Sequence, residues 1–195
     1  AIPSMLLSKH TKKTVTVALS GDAGDESFIG YHRYDRISNG NKLLRIPYPI
    51  RKMAASILNM TPSHRLKIIS SVLKAKGVND AYLMAMTTTD SSWFDFNDYD
   101  NVDEQKYLRH TNKELLERVS DFDLKTYLNW DINTKVDRAS MAYSLEVRAP
   151  LLDYRVVEFA RSLPTDFKIQ GSNKKRLLKE VLYDYVPEEI FDRPK

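Results

Sequence analysis

The stretch Val15–Tyr34, VTVALSGDAGDESFIGYHRY, constrains this chain more than any other. Val15, Val17 and Leu19 form a short apolar run with β-branched members, which predicts a buried strand. The run breaks into Ser20-Gly21-Asp22-Ala23-Gly24-Asp25-Glu26, and an apolar stretch with aromatics at helical spacing follows. A strand, a glycine turn carrying three carboxylates and a helix start together display chemistry at a strand end. The glycines let the backbone turn and approach a ligand closely, and the free N–H groups of the next helix can hold an anion. A helix over Gly24 to about Arg36 is expected, with Phe28, Tyr31 and Tyr34 facing inward.

Only one other segment reads as a strand, so a complete sheet is not encoded. The rest is helical in pattern. A helix over Ser4–His10 precedes the strand. Ser38–Asn41, with Gly40 between asparagines, is expected to be a loop. Ile50–Met60 and His64–Lys76 read as helices separated by Thr61-Pro62-Ser63 and closed by Gly77. Thr87–Asp100 is an irregular stretch in which Trp93, Phe94 and Phe96 anchor a loop on the core. Helical pieces resume near Val102. Asp131 is expected to cap Ile132–Ser144, and Asp153 to cap Tyr154–Ser162, with Val156, Val157 and Phe159 mostly buried. Gly171-Ser172 restarts a helix over Asn173–Tyr185. No repeat or low-complexity tract interrupts the 195 residues.

Composition excludes several classes. Lys and Arg number 30 against 26 Asp and Glu, a net charge of +4. That balance is too even to argue for nucleic acid. There is no cysteine, which removes disulfides, thiolate nucleophiles and thiolate metal sites. No run is apolar enough to span a membrane and no signal peptide is visible, so a cytoplasmic protein with neither nucleic-acid nor membrane partner is expected.

Two further stretches carry polar residues that packing alone does not demand. Tyr127–Asp153 reads YLNWDINTKVDRASMAYSLEVRAPLLD, and Leu163–Lys195 contains LPTDFKI, GSNKKRLLKE and a terminal FDRPK. With SGDAGDESFIGY they resemble the asparagine synthetase family, whose patterns run SGDGxDE then GGY, YLxxDxLxKxDRxSMAxSLExRxPxLD, and a tail of LPxxxK, KxxLRxA and LPxxIxxRxK type. The resemblance covers nearly the whole chain. It departs at the turn, where the second glycine is displaced by one place, and at Ile29, which stands where a glycine is usual.

The resemblance implies a mostly α chain that is a fragment of an α/β adenine-nucleotide alpha-hydrolase-like (ATP pyrophosphatase) domain, with one short buried strand and about eight helices. Residues 1–195 would be its C-terminal portion. The N-terminal glutaminase domain and the upstream SGGxDS pyrophosphate loop of the family are not in this sequence, so the piece alone is expected to be inactive. The implied chemistry is ATP-dependent activation of the aspartate side chain as an acyl-adenylate, followed by attack of glutamine-derived ammonia to give asparagine, AMP and pyrophosphate. ATP and Mg²⁺ would be required, and a homodimer is possible. A sibling ligase acting on another carboxylate, or a non-catalytic helical module, remains an alternative.

The resemblance also assigns residues. Asp22, Glu26 and Lys175 would be catalytic, with Asp22 facing the adenylate and Lys175 contacting the departing pyrophosphate. Ser20, Gly21, Asp22, Gly24 and Lys175 would hold the nucleotide, and Asp25 the metal. The residues themselves allow a plainer reading, in which Asp25 and Glu26 only cap the next helix and Lys175 belongs to a solvated charge run. Asp137, Arg138, Glu146 and Arg148 alternate in charge, and could form a buried network in the site wall or orient the acidic substrate. His32 lies near the turn but has no metal-ligand spacing around it.

Overall fold

The computed structural model describes residues 2–86, 108 and 114–191, without the side chains of residues 39, 64, 65 and 85. The aromatic stretch 87–100, the expected helix start near Val102 and the last four residues lie outside the described residues. The chain divides into two units, residues 1–31 with 116–195, and residues 32–115.

The first unit is built on a two-stranded parallel ladder. Strand β1 (Val17–Leu19) pairs with β2 (Glu146–Arg148) in the register Val17↔Glu146, Ala18↔Val147 and Leu19↔Arg148. Helix α1 (Ile2–Thr11) leads into β1 and packs on α8 (Thr134–Met141). Two sequence expectations are corrected here. Where one short buried strand is expected, β1 pairs with a second, β2, and is exposed rather than buried, with Leu19 74% accessible. A parallel strand is buried when neighbours and helices cover it; among the described residues β1 pairs with β2 alone.

Other corrections follow from local conformation. The helix expected over Gly24–Arg36 is interrupted: α2 is one turn, Gly24–Ser27, and Ile29 then takes a left-handed φ of 54° before α3 (His32–Leu43) begins in the second unit. Asp131 is not a cap. Helix α7 (Leu115–Lys125) runs through a π-helical turn at Leu128–Asn133 into α8, and Asp131 pairs with Lys135 one turn on at 3.1 Å. After the single turn α10 (Thr165–Lys168), Gly171-Ser172 closes a small hairpin of β3 (Ile169–Gln170) and β4 (Asn173–Lys174), with Gly171 at φ 59°, so the last long helix, α11, starts later at Arg176 and ends at Tyr183. Asp153 does cap α9 (Tyr154–Ser162): its carboxylate accepts from the Arg155 N–H at 2.9 Å and from the Arg155 guanidinium. Phe159 on that helix is exposed, and Ala160 is the residue it buries. The described helical segments exceed the eight expected because several are single turns.

The second unit contains the antiparallel helices α4 (Tyr48–Asn59) and α5 (His64–Lys74), packed together, with α6 (Val78–Met86) against α5 and α3 against α6. Pro47 and Pro49 open α4, and Thr61-Pro62-Ser63 separates the pair as the sequence predicts. Ala55, fully buried, permits close approach, and Ser70 on α5 donates to the Ala55 carbonyl at 2.8 Å. Arg51 is buried at 5% exposure and donates to the Leu73 and Ala75 carbonyls, both at 2.9 Å, and to Ile46 O. It therefore satisfies the C-terminal carbonyls of α5 that no helical N–H reaches. The expected Ser38–Asn41 loop is instead part of α3, because Tyr34 and Ile37 bury one face of the helix and outweigh the weak propensity of Ser38, Asn39, Gly40 and Asn41.

Candidate functional site

The turn after β1 emerges at the C-terminal end of both parallel strands, where ligands bind in open α/β sheets. The Ser20 N–H continues the ladder by donating to the Arg148 carbonyl at 2.8 Å. The Ser20 hydroxyl then donates to Asp22 Oδ2 at 2.8 Å, and the Gly24 N–H returns to Gly21 O at 3.1 Å. Ala23 holds φ 71°, a left-handed conformation that glycine adopts at no steric cost. Ala23 and Ile29 are the two places where a glycine is expected and absent, and both keep the backbone that glycine favours.

Lys175 comes from the far end of the sequence to the same turn. Its Nζ lies 2.9 Å from Asp25 Oδ1, with the two side chains 33% and 30% exposed. Lys175 precedes α11 at φ 53°. A non-glycine residue in this region carries strain, and a lysine at a helix N-terminus opposes the helix dipole. Asp25 compensates that charge. Gly30 packs directly beneath the pair: a Cβ there would collide with the Asp25 carboxylate and with Lys175 Cε. Gly24 lies against Leu151, whose Cδ1 would sit 2.9 Å from an added Cβ. A Cβ added at Gly21 would meet nothing within 4 Å.

Glu26 points the other way. It is 1% exposed and accepts a 2.6 Å hydrogen bond from the Tyr31 hydroxyl, while its backbone carbonyl accepts from Ser120. Burial raises its pKa above 4.5; the Tyr31 hydrogen bond works against that, and the nearby Asp25 and Asp123 carboxylates add to it. Tyr31 also stacks edge-on against Tyr127 at 6.1 Å between centroids. Beneath the turn, Asp123 is fully buried and Asp121 pairs with Arg161 at 2.8 Å. Sequence reading placed Tyr31 inward but not its bond to Glu26, and it missed Ser120 and Asp123 on the buried side of the turn. The available signal was Tyr31 following Gly30, and two aspartates and a serine on an otherwise apolar helical stripe.

The remaining candidates do not assemble as one network. Glu146 and Arg148 pair with each other along β2 at 2.7 Å, next to the turn. Asp137 and Arg138 are exposed on α8, and among the described residues neither pairs with Glu146 or Arg148. Arg138 instead lines an open groove with Met5, Trp130, Thr134 and Lys135. His32 sits 3.9 Å from Asp35, and among the described residues no three metal-ligating side chains cluster. Asp25 thus offers one carboxylate, with Oδ1 on Lys175, which suits an ion carried in on a phosphate ligand better than a metal held by protein alone.

Comparison with known proteins gives the chain its family. The chain is 29% identical over 203 residues to asparagine synthetase [glutamine-hydrolyzing] 1 of Bacillus subtilis (strain 168), covering all of this chain and 32% of the relative. It is 28% identical over 206 residues to a putative asparagine synthetase [glutamine-hydrolyzing] of Mycobacterium tuberculosis (strain ATCC 25618 / H37Rv), of which it covers 31%. It is 38% identical over 85 residues, 42% of this chain and 15% of the relative, to the asparagine synthetase [glutamine-hydrolyzing] of Mus musculus. The chain therefore spans about a third of the length of the first two relatives. No solved structure matches it. The sequence model of the asparagine synthase family matches residues 1–195, and the chain belongs to that family.

Proposed function

We propose that this chain is the C-terminal portion of the synthetase domain of a glutamine-dependent, ATP-consuming ligase that makes asparagine. An oxygen of the aspartate side-chain carboxylate attacks the α-phosphorus of ATP, and pyrophosphate leaves. Ammonia released from glutamine by another domain of the polypeptide then attacks the acyl carbon, and AMP leaves with the bonding pair.

The observation that carries this reading is the Lys175–Asp25 pair above the glycine turn, at the C-terminal ends of β1 and β2. Ser20, Gly21 and Gly24 shape a turn that accommodates a nucleotide, and the Ser20 hydroxyl orients the Asp22 carboxylate. Asp22, partly exposed on the turn, accepts the proton that ammonia loses. Lys175 exchanges Asp25 for the charge of the departing pyrophosphate, which relieves the cost of a cation at the start of α11. Asp25 would hold Mg²⁺ together with the phosphates, and the ion would supply positive charge against that developing on the leaving group. Glu26, buried on Tyr31, positions the turn rather than touching a substrate. Glu146 and Arg148 form the wall beside the turn, and Asp137 and Arg138 support α8 from outside.

The experiment uses the full-length polypeptide containing these residues. With ATP, Mg²⁺, aspartate and glutamine it releases pyrophosphate and forms asparagine, and Asp22→Asn or Lys175→Ala lowers turnover by roughly a hundredfold or more. Pyrophosphate release with a different carboxylate, and none with aspartate, transfers the assignment to a sibling ligase. A folded protein that turns over no carboxylate is a non-catalytic module.

A further inference from the structure

Among the described residues Lys168 is the one buried lysine, at 3% exposure. Its ammonium lies 4.0 Å from Glu117 Oε1 on α7, and the Glu117 side chain is 18% exposed. Taking an ammonium out of water is costly, and an apolar side chain of similar length often stabilises a fold as well or better. Packing alone therefore does not ask for a lysine here. Apolar contact is also non-directional, whereas a buried charge facing an opposite charge has a defined position.

The place of Lys168 in the chain shows what that position serves. It ends α10 and leads into β3. In the β3–β4 hairpin Ile169 faces Lys174 and Gln170 faces Asn173, so the next step outward in the same register sets Lys168 opposite Lys175. The Lys175 backbone is held at φ 53°, a conformation that persists only where the surroundings over-determine it. Two ties do so. On the α11 side, Arg176 Nη1 donates to the Asp166 carbonyl of α10 at 3.3 Å. On the β3 side, Lys168 draws the root of the hairpin toward α7. The same helix holds the glycine turn: Ser120, three residues after Glu117 and so on the same side of α7, donates to the Glu26 carbonyl. One face of α7 thus braces both the hairpin that presents Lys175 and the turn that presents Asp22 and Asp25. The 2.9 Å contact of Lys175 with Asp25 is where the two meet.

We propose that Lys168 is a positioning residue for Lys175, acting through the hairpin and its charge pairing with Glu117. It needs no contact with nucleotide or aspartate. Its consequence for turnover rests on the ligase reading, in which Lys175 meets the departing pyrophosphate. A small displacement of a group that acts on the transition state costs rate more than it costs substrate binding.

The test uses the full-length polypeptide with ATP, Mg²⁺, aspartate and glutamine, followed by pyrophosphate release. Lys168→Met is expected to lower kcat about tenfold, with KM for aspartate within about twofold of the parent. Glu117→Gln leaves the fold intact by circular dichroism and lowers kcat about threefold, so it decides the matter should Lys168→Met not fold. In a Lys175→Ala background neither substitution lowers the residual rate further, because residues that act as a unit lose their effect together. A loss of the same size in that background overturns the proposal. So does a KM for aspartate that rises in step with the loss of kcat, or full turnover in a folded Lys168→Met protein. Competitive acetylation of the same proteins, read at each lysine by mass spectrometry, needs no turnover. Lys175 is expected to react about threefold faster or more in Lys168→Met and Glu117→Gln, as its contact with Asp25 loosens, with no change at Lys9 and Lys13. Unchanged reactivity at Lys175 overturns the positioning role. A parent that turns over no carboxylate, yet shows this rise at Lys175 in the variants, removes the ligase reading and upholds Lys168 as the residue that holds Lys175.

Discussion

The Lys175 ammonium lies 2.9 Å from the Asp25 carboxylate, across 150 positions of sequence, and the backbone of Gly30 forms the floor under both. This contact joins the turn after β1 to the start of α11 and fixes where the two halves of the candidate site meet. Because each side chain is about a third exposed, the pair contributes about 0–1 kcal/mol to folding. A double-mutant cycle with Asp25→Asn and Lys175→Met, read by urea denaturation, is expected to give a coupling in that range. The same substitutions are expected to cost far more in turnover of the full-length protein. A coupling of several kcal/mol in stability would make the pair structural.

Gly30→Ala tests the floor. The added methyl has no room without moving the Asp25 carboxylate or the Lys175 stem, and forced repacking of this kind costs about 1–3 kcal/mol. Gly21→Ala, in open space on the same turn, is expected to stay within about 0.5 kcal/mol of the parent. Both are measured by denaturant midpoint. Equal effects would show that the turn does not hold the described geometry.

Ala23 and Ile29 separate strain from packing. Both sit at left-handed φ, 71° and 54°, where a side chain costs about 1–2 kcal/mol. Ala23→Gly relieves that cost and gives back about 0.4–1 kcal/mol through the looser unfolded chain, so a gain of up to about 1 kcal/mol is expected. Ile29→Gly relieves the same strain but deletes a fully buried side chain, a loss of about 2–5 kcal/mol by comparison with other buried truncations, so net destabilisation is expected. Thermal unfolding of the two variants should move in opposite directions.

These two positions also show how the sequence encoded its site. The order Ser20-Gly21-Asp22 after an apolar β run located the turn, because that order has few structural uses. What the sequence did not show was which carboxylate faces out. Asp22, Asp25 and Glu26 are equivalent in composition, and only the one-turn length of α2 sends Glu26 inward to Tyr31 while Asp25 meets Lys175. The strand at Glu146–Arg148 was hidden for a related reason. Three residues leave no periodicity, and their extended form comes from pairing with Val17–Leu19, nearly 130 positions away. In the second unit, the helix through Gly40 was missed because tertiary burial of Tyr34 and Ile37 overrides propensity.

Arg51 is expected to be the most sensitive position of the α4–α5 pair. Arg51→Met keeps the stem but removes the donors to the Leu73, Ala75 and Ile46 carbonyls, two of them at the end of α5. Leaving buried acceptors unmet costs about 1–3 kcal/mol, so a loss of about that size or more is expected. Arg51→Lys is expected to recover little, because one ammonium on a flexible stem does not reproduce the planar fork. Amide exchange at the end of α5 should rise before exchange at its start. Uniform change along the helix would argue that Arg51 acts only through its stem.

The carboxylates of the first unit make stability depend on pH with two opposite signs. Glu26 has a folded pKa above its unfolded value of 4.5, chiefly because it is buried. The folded state therefore binds the proton more tightly, and stability from this group falls as pH rises from 4.5 through the folded pKa. Glu26→Gln keeps an acceptor for the Tyr31 hydroxyl and removes the titration, so its stability relative to the parent should improve across that window and level off above it. Asp153 behaves in reverse. The Arg155 side chain first, and the Arg155 N–H second, hold its pKa down to about 2 from 3.8. Its contribution is present above 3.8 and is lost as pH falls toward 2, and Asp153→Asn should remove that acid sensitivity. Urea titrations of the parent and both variants from acid to neutral pH read the two slopes separately. A Glu26→Gln difference that stays flat with pH would mean that Glu26 titrates at its ordinary value and that the Tyr31 bond, not burial, governs its environment.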